Sequence, residues 1–394
     1  MPYIRTLLRL PEIPQHIRSV DTLTEDDLWL DPGPTVWRAR RFIGLPRFYP
    51  VYRWQDLYSF SPIYLLAAKG AVDLDPVFME RVSSRGRTGS AYYSGARTID
   101  SEIRRIGGPT PFQRTIFNPE SYAEALAAAM IADTAMIEAV HPGVPHVILT
   151  GGKDSLNMLL LPWKAPVVAL SAAPNYALVR QFIADNDLRI PCHELRDEDR
   201  SGLALEVLYN TCLGELLHCR WSGELRALAT RQRRMILWQG QVATFLTPSW
   251  RAYIHYRDQV DRAVGYLESL VVRAALRLDC RTIPEAQQRR VSDNLWLRGA
   301  MMQGSHMALL RALCGCLVLS GYHGPAVQRV VSSVDLSSCV QHDIRPRVGR
   351  ILLGRRVVYP AINPGPPPSA FRAGRSTPEP WIAVARASGL EIRR

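Results

Sequence analysis

Lysine is nearly missing from this chain: of 48 basic residues, only Lys69, Lys153 and Lys164 are not arginine. Paired cysteines are missing too. The seven thiols, Cys192, Cys212, Cys219, Cys280, Cys314, Cys316 and Cys339, contain no CxxC spacing, and Cys314-Gly315-Cys316 is too tight for a structural zinc pair. This excludes a zinc ribbon and leaves reduced, mostly buried thiols as the expectation. No apolar run approaches the roughly 20 residues that span a bilayer, and Met1-Pro2-Tyr3-Ile4-Arg5 lacks the basic-then-apolar layout of a signal peptide. A cytoplasmic protein without a membrane partner is expected, and no internal repeat is visible.

What is present is ordinary globular composition, 47% hydrophobic and 21% charged over 394 residues, enough for two domains. The net charge of +12 suits an anionic partner, but the basic residues are spread along the chain. That spread gives nucleic acid a weaker claim than a small anion, without excluding it. The sequence is compatible with a homodimer.

Residues 1 to about 110 mix short apolar stretches with Pro, Gly and aromatics and predict a small, irregular or β-rich domain. Asn118-Pro119-Glu120 starts a long helix that ends near His141-Pro142-Gly143. A β-branched run, Val144 to Thr150, then meets two glycines, and Leu156, Leu159 and Leu160 begin a second helix. Further strands are expected at 167–171, 191–195 and 234–240, with helices over 176–184 and 223–231 between them. Such alternation predicts an α/β fold with a mostly parallel sheet. Residues 252 to 335 read as helices, and the tail containing Asn363-Pro364-Gly365-Pro366-Pro367-Pro368 reads as irregular.

Leu149-Thr150-Gly151-Gly152-Lys153-Asp154-Ser155 therefore lies between a strand and a helix, where parallel-sheet proteins place ligands. Its glycines let the backbone approach a phosphate, and the following helix is expected to add partial positive charge. The spacing is not that of a Walker loop. It resembles the SGGxDS signature of pyrophosphate-loop ATP enzymes, with Thr150 in place of the first serine.

Three more stretches resemble the asparagine synthetase family, whose relatives include β-lactam synthetases and lasso-peptide cyclases. They are Tyr93 to Gly108, Asn118-Pro119-Glu120-Ser121-Tyr122, and Arg234-Met235-Ile236-Leu237-Trp238-Gln239-Gly240-Gln241-Val242-Ala243. The resemblance covers roughly residues 60 to 250 in the family's order. It implies a reduced glutaminase-like α+β domain at 1–115, an ATP-binding synthetase domain at 116–360 and a Pro-rich tail at 361–394. It also implies ATP and Mg2+ as cofactors. Thr150, Gly152 and Ser155 would hold phosphate oxygens, Asp154 would bind the metal, and Leu149, Gly151, Lys153, Leu170 and Gly240 would complete the nucleotide site.

Departures from the family pattern shape the expected reaction. No cysteine stands near the N-terminus to serve as a glutaminase nucleophile. Gln241 replaces the acidic or tyrosine residue near the reacting amine, and Thr244 stands where a second metal aspartate is expected. No lysine follows Lys164 to stabilise acyl transfer, so Arg347 and Arg350, within a group that includes Arg345, Arg355 and Arg356, are the candidate cations.

The expected function is an ATP-dependent ligase. It would adenylate the carboxylate of a small molecule or peptide and join it to an amine, forming an amide or lactam in natural-product biosynthesis. A nucleobase- or RNA-modifying enzyme and a nucleotide-binding protein without turnover stay open as alternatives.

Overall fold

The computed structural model describes residues 17–30, 36–43, 51–59, 62–76, 98, 100–106, 115–150, 153–195, 222–232, 234–240, 316–334, 342–360, 386 and 391–393. Strand β1 (Arg18–Thr24) leads through helix α1 (Glu25–Leu30) into β2 (Trp37–Ile43), which pairs with β1 in parallel. Thr24 and Asp27 form a reciprocal cap at the start of α1. The Asp27 carboxylate accepts the Thr24 N–H at 2.8 Å, and the Asp27 N–H donates to the Thr24 hydroxyl at 3.2 Å.

The chain continues through β3 (Val51–Trp54), β4 (Leu57–Ser59), α2 (Pro62–Lys69), β5 (Ala71–Asp73) and β6 (Arg104–Ile106). Trp37 and Ala39 are buried on β2 while Arg38 and Arg40 face solvent, the period-2 alternation of a half-covered strand. The resulting five-stranded sheet has the order β1-β2-β4-β3-β6.

Lys69, at the end of α2, ties this part of the chain together. Its ammonium lies 2.6 Å from Asp73, 2.9 Å from Asp100 and 2.8 Å from Glu102, and its side chain is only 6% exposed. Asp100 is itself fixed by the backbone N–H groups of Asp73, Glu102 and Ile103. Burial alone would lower the Lys69 pKa, but these hydrogen bonds outweigh it and raise the value. An ammonium sends three donors along tetrahedral directions, whereas a guanidinium is a planar fork. That geometry accounts for a lysine here in a chain whose basic residues are nearly all arginine. Lys69→Arg is expected to lower the unfolding free energy by roughly 1–3 kcal/mol in urea titrations, because one of the three acids loses its partner. An unchanged midpoint would show that the three-way geometry is dispensable.

The second half is built on helix α3 (Pro119–Val140) and strand β7 (His146–Leu149). The Asn118 side chain accepts the Ser121 N–H at 2.8 Å, and Pro119 occupies the first helical turn, so the N-terminus forms as its sequence predicts. After β7 come helix α4 (Lys153–Leu156), a 3-10 turn (Asn157–Leu160), β8 (Val167–Ala172), α5 (Asn175–Asp185) and β9 (Cys192–Leu195). Helix α6 (Ser222–Gln232), β10 (Ile236–Gln239), β11 (Leu317–Ser320), α7 (Pro325–Ser333), α8 (Arg345–Leu353) and β12 (Glu391–Arg393) follow.

Five of these strands form one sheet in the order β11-β10-β7-β8-β9, and every neighbouring pair is parallel. Strands β7, β10 and β11 are buried at all four positions, as strands covered on both faces must be. The α/β class, with a parallel sheet and flanking helices, is thus observed.

Three expectations need correction. The helix after the loop is a single α-turn continued by a 3-10 turn, so its dipole is weaker than a long helix would give. Within the stretch expected to be helical, Leu317–Ser320 is a strand; four apolar residues do not carry enough periods to separate strand from buried helix. In the tail, Glu391–Arg393 pairs in parallel with β5, and Leu74 donates its N–H to the Arg393 carbonyl at 3.0 Å. The prolines at 364 and 366–368 bias only their own neighbourhood, not the chain's last residues. Residues 252–315 lie outside the described residues.

Candidate nucleotide site at the sheet switch point

The strand order makes β7 and β10 neighbours whose connections leave in opposite directions, β7 toward β8 and β10 toward β11. In open parallel sheets such a divergence leaves a crevice at the carboxyl ends of the two strands. Both sequence motifs reach this point. Thr150 follows β7, and its N–H donates to the Leu170 carbonyl at 2.8 Å. Gly240 follows β10 and is buried. A Cβ built on Gly240 would overlap the Cα and Cβ of Ser155 and lie 2.9 Å from the Ser155 nitrogen. The two segments, far apart in sequence, therefore touch backbone to backbone.

Of the residues named from sequence, Leu149, Thr150, Ser155, Leu170 and Gly240 are gathered at this end of the sheet, all buried. Lys153 and Asp154 start α4 beside them. Gly151, Gly152, Gln241 and Thr244, and the side chains of Lys153 and Asp154, lie outside the described residues.

Two residues join the site that sequence reasoning had not assigned to it. The Thr150 Oγ1, the Ser171 Oγ and both amide atoms of Gln239 are buried without a hydrogen-bond partner. Thr150 is 1% exposed, Ser171 0% and Gln239 2%. Leaving a polar group buried and unpaired costs about 1–3 kcal/mol, and folded proteins rarely tolerate it. Finding such groups on three adjacent strand ends, at the switch point, is what a polar ligand site requires.

The register divides them. Gln239 pairs with Leu149 and Leu149 with Leu170, so these three share one face of the sheet. Thr150 and Ser171, one position further on, point to the other. A usable signal existed: Val-Val-Ala-Leu-Ser and Ile-Leu-Trp-Gln are apolar strands that turn polar at the carboxyl end.

The arginine group is dispersed rather than gathered. Arg347 pairs with Glu120 at 3.0 Å and Arg345 with Asp343 at 3.0 Å. Arg355 donates to the Asn186 carbonyl at 2.7 Å, at the far end of α5. Arg350, in the last turn of α8, is exposed and has no ion-pair partner among the described residues. What links α8 to the loop is Asn157, fully buried just after α4. Its amide donates to the Arg345 carbonyl at 3.1 Å, and its carbonyl accepts the Tyr359 hydroxyl.

Buried titratable groups brace the strands behind the site. Trp238 donates its indole N–H to His146 Nδ1 at 2.9 Å. That nitrogen must then be an acceptor, so neutral His146 carries its proton on Nε2, which lies 3.4 Å from Glu138. Burial lowers the His146 pKa although Glu138 pulls it upward. On α3, Asp133 accepts the Ala326 and Val327 N–H groups at 2.8 and 3.0 Å and so caps α7 from outside. Burial pushes its carboxyl up to about 6 against those two amides. His323, before α7, is wholly buried and lowered to about 3 by that burial.

No protein-family model matches the chain, and a search of curated proteins finds no match. Among the described residues, no helix is long and apolar enough to cross a membrane. No three His, Cys, Asp or Glu side chains are grouped there to hold a metal ion.

Proposed function

We propose that this protein is an ATP-dependent ligase with a pyrophosphate-loop fold related to the synthetase domain of asparagine synthetases. The observation that carries the reading is the meeting of Ser155 and Gly240 at the switch point. It joins the loop motif to the second motif at a place lined by unpaired buried hydroxyls.

The residues fit the nucleotide. Thr150 and Ser155 offer hydroxyls for phosphate oxygens, the Gly151-Gly152 pair lets backbone N–H groups approach them, and Lys153 supplies a positive charge. Leu149 and Leu170 give an apolar surface for the base. Asp154 would hold Mg2+, which when bound offsets charge on the leaving pyrophosphate.

In the reaction, an oxygen of the substrate carboxylate attacks the α-phosphorus. The bond to the β-phosphate oxygen breaks, and pyrophosphate leaves. An amine then attacks the acyl carbon, loses a proton, and displaces AMP to leave an amide or lactam. Gln241 is assigned to the reacting amine. Of the candidate cations, Arg347 is already paired with Glu120, which leaves Arg350 as the proposed partner of the developing negative charge.

The test is incubation of the purified protein with Mg2+, ATP and fractionated extract of its own cells, beside an Asp154→Ala control. AMP and pyrophosphate released with one fraction, and lost in the control at unchanged thermal stability, is the expected result. ADP as product, or turnover unaffected by Asp154→Ala, would overturn the reading. ATP binding without turnover in any fraction would favour the nucleotide-binding alternative, which Thr244 in place of a second metal aspartate motivates.

A further inference from the structure

We propose that Gln239 reads the polar edge of the nucleotide's base and sets the preference for adenine. The inference rests on the ATP reading above and gives a role to a residue that the second motif contains but that was not singled out from sequence. Gln239 closes β10 with its side chain 2% exposed and both amide atoms unpaired. It pairs in register with Leu149, which pairs with Leu170, so the amide and two leucines line one face at the carboxyl end of three adjacent strands. Neighbouring strands are about 4.8 Å apart, so a planar ring lying on Leu149 and Leu170 brings its edge to Gln239.

The chemistry matches. A primary amide presents a donor and an acceptor side by side, as does the adenine edge formed by its amino group and a ring nitrogen, and glutamine commonly makes this bidentate pair with adenine. A neutral amide has little preference for phosphate. The anion-binding task falls instead to Thr150 and Ser171, whose hydroxyls lie on the opposite face of the same strand ends. Strand alternation thus separates a base-reading side from a phosphate-reading side.

The same amide is a burden on the protein without nucleotide, since its buried polar atoms have lost water and gained nothing. Function and stability should therefore move in opposite directions when it is replaced, which a packing role would not produce.

The experiment compares wild-type protein with Gln239→Leu and Gln239→Glu. The readouts are thermal unfolding without nucleotide and Mg2+-dependent binding of ATP and GTP by calorimetry. Gln239→Leu is expected to unfold at the same or a higher temperature and to bind ATP about tenfold more weakly, the loss of one buried hydrogen-bonding contact. Gln239→Glu is expected to shift the ATP-to-GTP preference toward GTP, because a carboxylate accepts from the two adjacent N–H groups of guanine.

Unaltered ATP affinity in Gln239→Leu, with Asp154→Ala still impaired, would overturn this inference and leave the ATP site standing. So would a lower unfolding temperature in Gln239→Leu, which would mark the amide as structural. Absence of ATP binding by the wild-type protein would remove both proposals.

Discussion

Replacing Gly240 by alanine is expected to lower the proposed nucleotide turnover about a hundredfold and to destabilise the fold by roughly 1–3 kcal/mol, the usual cost of forcing a methyl into filled space. The added carbon would sit on the Cα and Cβ of Ser155. Because the obstacle is backbone, no rotamer change relieves it, and either β10 or the segment entering α4 must move. Either shift displaces the β10 end relative to Ser155, and a displacement near 1 Å is enough to cost a positioned reaction a hundredfold.

Gly354→Ala provides the control. Its φ is +71° and nothing lies within 4 Å of the added atom, so only left-handed strain of about 1 kcal/mol is expected, with ATP binding unchanged. Pyrophosphate release and urea unfolding read both variants. Full activity in Gly240→Ala would mean that contact between the two segments is not needed for catalysis.

The second large effect concerns acid. His323 is buried and neutral, with a pKa lowered to about 3 from an ordinary 6.5. As pH falls below 6.5 the unfolded chain takes up a proton that the folded one refuses, so stability falls by about 1.4 kcal/mol per pH unit and about 5 kcal/mol by pH 3. Burial of His146 acts in the same direction.

Asp133 opposes them. Its folded pKa of about 6 lies above its ordinary 3.8, so the folded state binds the extra proton between those values and gains about 3 kcal/mol as pH falls. The histidines win, and the chain should lose stability on acidification, most steeply just below pH 6.5, before Asp133 begins to take up its proton. His323→Asn should gain on the wild-type protein by about 3 kcal/mol between pH 6.5 and 4, as read from urea midpoints at each pH. Parallel pH profiles for the two proteins would show that His323 is solvated or charged when folded.

Much of the second sheet was legible because its signals are local. Asn118-Pro119 fixes the start of α3 through a side-chain cap and a locked φ, and Val144 to Gly152 announces strand then loop through β-branching followed by glycine. Strands β8 and β10 read as apolar runs because they are covered on both faces. Strand β11 gave too few residues for a period to show. The pairing of Glu391–Arg393 with Ala71–Asp73 links segments at opposite ends of the chain, which no local pattern encodes. For the site, Thr150 and Ser155 were visible through their spacing, whereas Ser171 and Gln239 each looked like the polar end of a strand.

The sequence by itself determined the local elements of the β7-loop-α4 unit and which residue types it offers a ligand, since caps, turn glycines and strand periodicity act over a few residues. Only the tertiary structure decided that β10 lies beside β7 and that Gly240 rests on Ser155. It also decided that Arg347 spends its charge on Glu120, and that four polar atoms on three strands are buried unpaired. Those outcomes depend on strand order and on close packing between residues distant in the chain.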